Sequence, residues 1–147
     1  MDKFESYAKK HLSREVLEIE KSKRHKEHHE LTVYEKAIIY KYSEDGYEYV
    51  NKNLRKSKGI QSVEFGELLD ECLKKISTYE GLVYRGVNLT SQELTLYQEA
   101  FKNKGKVKEY PFLSTSKSRL VAMEFKGNIL FRMYSKTGRD IEKIAKY

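Results

Sequence analysis

Gly81-Leu82-Val83-Tyr84-Arg85-Gly86-Val87 marks the point at which the hydrophobic period of this chain changes. Its apolar residues are branched or aromatic and fall close together, the pattern of a β-strand. Upstream, apolar residues recur every three or four positions, the pattern of helices. Phe4, Tyr7, Ala8, Leu12, Val16, Leu17 and Ile19 predict one helix from Phe4 to about Glu20. Glu20 to Glu30 holds no apolar residue and reads as the exposed end of that helix or a link. Thr32 and Glu35 have the spacing of a capping box, in which each side chain bonds the other residue's backbone amide. It opens a helix with Ala37, Ile38, Ile39 and Tyr42 on its apolar face. Ser43 to Gly46 predicts a turn, with Gly46 free to take positive φ. Helix resumes from Tyr47 to Lys56, burying Tyr47, Val50 and Leu54, and stops at Lys58-Gly59. A further amphipathic helix, Val63 to Thr78, buries Phe65, Leu68, Leu69, Cys72, Leu73 and Ile76.

Downstream of Val87, Thr90 and Glu93 form a second capping box, for a helix reaching about Phe101. A Gly- and Lys-rich loop leads to a predicted strand, Tyr110 to Ser116, with Pro111 near its start. A short helix from Ser118 to Phe125 and a strand from Asn128 to Tyr134 complete the reading. The class is α+β, helices first and sheet second.

The whole chain is 147 residues, the size of one domain. One Cys excludes a disulfide scaffold and any zinc site built on paired cysteines. No apolar run reaches the ~18 residues of a membrane-spanning helix. Met1 to Lys10 lacks the apolar core of a Sec signal peptide, which leaves location undecided. The net charge of +7 favours anionic partners, but the basic residues are spread along the chain, an argument against a nucleic-acid footprint.

Four features invite chemistry. His25, His28 and His29 have the spacing of one helix face, yet Lys and Glu surround them and H-E-x-x-H is absent, so no metal is assigned. The phosphate-loop, dinucleotide-fold and serine-elbow glycine motifs are all missing. Arg85, inside an apolar strand, needs an anion for its guanidinium, either a core carboxylate or a phosphate-bearing or carboxylate ligand. Gly86 beside it permits close approach of a backbone or a ligand. Ser114, Thr115 and Ser116 place three hydroxyls at a strand end, suited to a polar ligand or to capping the next helix. Asn51 and Arg55 lie one helical turn apart, on one face.

Taken in order, these segments resemble the bacterial ADP-ribosyltransferase exoenzymes of the arginine–serine–glutamate class, the group of the actin- and Rho-modifying toxins. The matching parts are Tyr42 through Arg55, Gly81 through Gly86, Phe112 through Ser116, Ala122 through Phe125, and Thr137-Gly138-Arg139 after the last strand. The resemblance implies a charged N-terminal helix over residues 1–30 and an ADP-ribosyltransferase-like domain over 31–147, in which a mixed two-sheet β core surrounds a cleft for NAD+. It also implies roles. Arg85 and Ser114 serve catalysis, Arg85 through a phosphate or ribose of NAD+ and Ser114 by orienting the catalytic carboxylate. Gly86, Thr115 and Ser116 shape the cofactor wall, Phe125 lines the nicotinamide pocket, and Asn51 and Arg55 meet NAD+ from the helical side, Arg55 at the pyrophosphate.

The implied activity is mono-ADP-ribosyl transfer from NAD+ to a side chain of a target protein, such as a host actin or small GTPase. Nicotinamide leaves an oxocarbenium-like centre, which a preorganised carboxylate stabilises. In this family that carboxylate lies in a Glu/Gln-x-Glu motif on a strand after the Gly138-Arg139 region. No such motif follows Arg139, where the nearest acids are Asp140 and Glu142. The resemblance therefore implies a domain whose last strand is truncated or comes from a second polypeptide. Its alternative is a non-catalytic NAD+- or partner-binding remnant.

Overall fold

The computed structural model describes residues 1–57, 63–125 and 127–146. The helix stop expected at Lys58-Gly59 lies outside the described residues. Residues 1–79 with 138–147 form one compact unit, and residues 80–137 form a second.

The first unit is helical. α1 (Lys3–His11) is capped by Asp2, whose carboxylate accepts from the Glu5 amide at 2.8 Å. The single N-terminal helix expected from the periodicity is two, because the backbone breaks at Leu12 (φ −125°, ψ 32°) before α2 (Ser13–Lys21). The Ser13 hydroxyl donates to the Lys9 carbonyl at 3.3 Å, so this side chain competes for a helix acceptor at the break. Leu12 is buried at the corner. A 3₁₀ turn, Lys23–Lys26, follows. His25 lies in it and His28 follows in a left-handed conformation (φ 52°), so the three histidines do not share a helix face.

α3 (Val33–Lys41) starts at the expected capping box, with both reciprocal bonds formed, at 3.0 and 3.2 Å. It packs against α1, α2 and α5 (Glu64–Lys74). Glu35 to Tyr40 are all buried, so α3 is a central helix rather than an amphipathic one. Its two buried charged side chains both have polar partners. Glu35 pairs with Lys75, and Lys36 donates to the carbonyls of Arg24 and His25 at 3.2 and 3.1 Å. The turn expected at Ser43 to Gly46 is a single wide helical turn, Tyr42–Gly46, that runs directly into α4 (Tyr47–Ser57). Gly46 does not take positive φ. It is needed for closeness, since a Cβ there would lie 3.0 Å from both the Lys41 carbonyl and the Phe65 ring. α4 buries Val50 and Asn51, while Tyr47 stays exposed. Of the expected stripe α5 buries Phe65, Leu68, Leu69 and Cys72; Leu73 is half-buried, and Ile76 is buried just past the helix, which ends at Lys74 and not at Thr78.

The tail returns to this unit. Ile144 is fully buried, and the Arg24 guanidinium donates to the carbonyls of Ile144 (2.9 Å) and Ala145 (3.0 Å) while stacking over the Tyr40 ring. Across the tail, the Lys146 amide donates to the Ser43 hydroxyl and its ammonium to Glu44 at 2.8 Å.

The second unit is built on β1 (Thr78–Val87) and β2 (Ile129–Arg139), which pair antiparallel. Of the two-sheet core expected, the described residues form this sheet and one isolated bridge. α6 (Ser91–Lys102) opens at the second capping box, again with both bonds formed. The segment expected as a strand, Tyr110 to Ser116, forms no strand and joins β1 at one rung only, between Tyr84 and Ser116, with N–O distances of 2.7 and 2.8 Å. Pro111 has no amide to give a ladder, and the Ser114 carbonyl is taken by Arg85. α7 (Arg119–Met123) is capped by Ser118. β2 runs five residues past the expected strand end at Tyr134.

Candidate active site

The site lies within the second unit, where β1, the Tyr110 to Ser116 segment and α7 meet. Tyr84, Arg85, Gly86, Ser114, Thr115, Ser116, Ala122 and Phe125 line an open cleft. All six site residues that the sequence predicts in this region are therefore together. The Tyr84–Ser116 rung ties this segment to β1 and so fixes the three hydroxyl residues beside the strand. Arg85 Nη1 donates to the Ser114 carbonyl at 3.0 Å. No carboxylate pairs with Arg85 among the described residues. A neutral carbonyl orients the guanidinium but leaves its charge uncompensated, and of the two partners the sequence allowed, the core carboxylate is absent among the described residues.

Gly86 answers to packing. A Cβ at this position would lie 2.2 Å from the Ala122 carbonyl oxygen, so α7 closes on β1 only because residue 86 has no side chain. That closeness puts Phe125, which follows α7 and is 69% exposed, at the cleft rim. None of the three hydroxyl residues is the N-cap of α7. The cap of α7 is Ser118, whose Oγ accepts from Val121, and Ser116 Oγ accepts from the Ser118 amide at 3.1 Å. Ser114 and Thr115 are exposed in the cleft wall.

Sequence reasoning missed Tyr97. Its hydroxyl donates to Glu109, and its ring meets Phe131 of β2 at 4.9 Å. Burial first, then the bond to Glu109, push its pKa up to about 12, while the positive charge of Arg85 acts the other way. No motif flags it, because the partner is twelve residues away on a loop.

Asn51 and Arg55 belong to α4 in the first unit. Asn51 is buried, and its amide donates to the Tyr42 hydroxyl at 3.4 Å. Arg55 is exposed. Among the described residues no group of His, Cys, Asp and Glu could hold a metal ion, and no helix is long and apolar enough to cross a membrane.

The cleft therefore offers an uncompensated guanidinium, a hydroxyl-bearing wall and an aromatic rim. A dinucleotide with a pyrophosphate, ribose hydroxyls and a flat base presents matching groups.

The sequence model of the ADP-ribosyltransferase exoenzyme family matches residues 8–146. Over 114 residues the chain is 33% identical to Mav of Mycobacterium avium (strain 104), whose name assigns it NAD(+)–arginine ADP-ribosyltransferase activity. That match takes in 76% of this chain and 13% of Mav, so the chain spans a small part of that relative's length. The fold is similar to the crystal structure of the ADP-ribosyltransferase HopU1 of Pseudomonas syringae pv. Tomato DC3000, with a TM-score of 0.70 at 21% identity, covering 95% of this chain and 70% of that one. On the family match, the chain belongs to the ADP-ribosyltransferase exoenzymes.

Proposed function

We propose that the chain binds NAD+ in the Arg85 cleft and transfers its ADP-ribose to a protein side chain. The observation that carries this reading is the Arg85 guanidinium, oriented by the Ser114 carbonyl and matched by no carboxylate among the described residues. Arg85 takes a phosphate or ribose oxygen, Thr115 and Ser116 shape the wall, and Phe125 packs on the nicotinamide ring. Ser114 orients the catalytic carboxylate. By its likeness to Mav, the acceptor is an arginine.

In the transfer, the bond from the ribose anomeric carbon to the nicotinamide nitrogen breaks, and its electron pair leaves with nicotinamide. The acceptor nitrogen forms the new bond and gives up its proton. A carboxylate must hold the cationic centre meanwhile, and no Glu-x-Glu follows Arg139 in these 147 residues. Transfer is therefore proposed only where such a carboxylate is supplied. Incubation with labelled NAD+ and a cell lysate tests the reading. Label on a lysate protein, abolished by Arg85→Ala, supports it. Neither label nor released nicotinamide, with or without an added peptide carrying Glu-x-Glu, would overturn it. The pyrophosphate contact expected of Arg55 is tested separately by Arg55→Ala.

A further inference from the structure

α6 ends in an unusual loop. The Gly105 amide closes the helix on the Ala100 carbonyl at 2.7 Å, and Lys104 occupies the left-handed position (φ 53°) where Gly or Asn costs less. Lys102, Lys104, Lys106 and Lys108 are all exposed, and none has a carboxylate partner among the described residues. The helix dipole accounts for cations in the last turn, Lys102 and in part Lys104. It fades within a turn, so it does not account for Lys106 and Lys108. Phe101, at the head of this run, is 90% exposed.

The base of the loop is fixed. Tyr97 holds Glu109 and packs at a tilt against Phe131, and Lys108 lies 5.5 Å from the Tyr110 ring. From Glu109 the chain runs five residues to Ser114 in the cleft wall, at most ~18 Å. A protein with a side chain in the cleft would thus stand within reach of four lysines that have no carboxylate partner among the described residues, and of a bare aromatic ring.

We propose that residues 101–108 dock an acidic surface of the acceptor protein, with Phe101 as its apolar anchor and the lysines steering and orienting the encounter. The proposal rests on the reading of the cleft as a transfer site. The composition of the loop favours a protein over other anions. It has no Arg and no series of aromatic rings for stacking nucleic-acid bases, and it lacks the broad apolar helix face that seats a peripheral protein in a lipid surface.

The test uses the full chain, fluorescein-labelled poly(Glu,Tyr) copolymer as the acidic protein-like probe, and calorimetry with NAD+ on the same samples. Circular dichroism checks that Lys104→Glu/Lys106→Glu and Phe101→Ala keep their fold. The expected result is copolymer binding about tenfold weaker in the charge variant and weaker in Phe101→Ala, with NAD+ affinity unchanged. Binding that ignores both variants overturns the proposal. So does tighter binding of phosphatidylserine vesicles or a single-stranded oligonucleotide than of the copolymer. Loop-dependent copolymer binding without NAD+ binding by the wild type overturns the acceptor role and the cleft reading together, leaving the loop an acidic-protein surface.

Discussion

Gly86 on β1 faces the Ala122 carbonyl so closely that a Cβ at residue 86 would come within 2.2 Å of that oxygen. The obstacle is backbone, which cannot swing aside as a side chain can. Gly86→Ala is expected to cost ~2–3 kcal/mol through overpacking, and to lower the melting temperature by about 5–10 °C. Gly105→Ala is the control, because its nearest atoms are 3.8 Å from the added Cβ. Thermal unfolding of the two variants checks this, and equal melting temperatures would count against the close approach.

The Arg24 fork on the tail is worth ~1.5–3 kcal/mol, as for hydrogen bonds from a charged donor. Arg24→Ala should speed amide exchange across residues 144–146 by about tenfold or more while α5 keeps its protection. Arg24→Lys should rescue only part of the effect, since an ammonium cannot span adjacent carbonyls as the planar fork does.

Glu44 sets an acid limb. Hydrogen bonds from Arg14 and then Lys146 lower its carboxyl from 4.5 to about 2. A depressed folded-state pKa contributes stability that is present above 4.5 and is lost as pH falls from there toward 2. Chemical denaturation should show that loss in the wild type. Glu44→Gln should be less stable at pH 7 by ~1–2 kcal/mol and should show a flatter dependence between pH 4.5 and 2. Identical pH profiles would refute the assignment.

The thiol of Cys72 is pushed up to about 12, first by burial and then by the negative charge of Glu35. Iodoacetamide at pH 8 should label the native protein about a hundredfold more slowly than the denatured one. Rapid native labelling would show that α5 does not enclose the residue.

What could be read from the sequence was local. The boxes at Thr32–Glu35 and Thr90–Glu93 formed as expected because their bonds close within three residues. The α5 stripe was legible because one face packs and the other is wet. Lys36 was not, since a buried lysine is tolerable here only through carbonyls eleven and twelve residues back. Likewise the tail clamp spans 120 residues from Arg24 to Ile144, and no periodicity announces it. In the cleft, Arg85, Gly86 and the Ser114 to Ser116 run were legible as residues out of keeping with a plain strand. The single rung between Tyr84 and Ser116 was not, because it depends on the Pro111 amide gap and on where the Ser114 carbonyl turns.

The most direct measurement is calorimetric titration of NAD+ into the wild type and into Arg85→Ala, with circular dichroism confirming that both are folded. The account predicts saturable binding to the wild type, weakened about tenfold or more in the variant by loss of a charge-assisted contact. Equal affinity in both proteins, or no heat from the wild type, would contradict it.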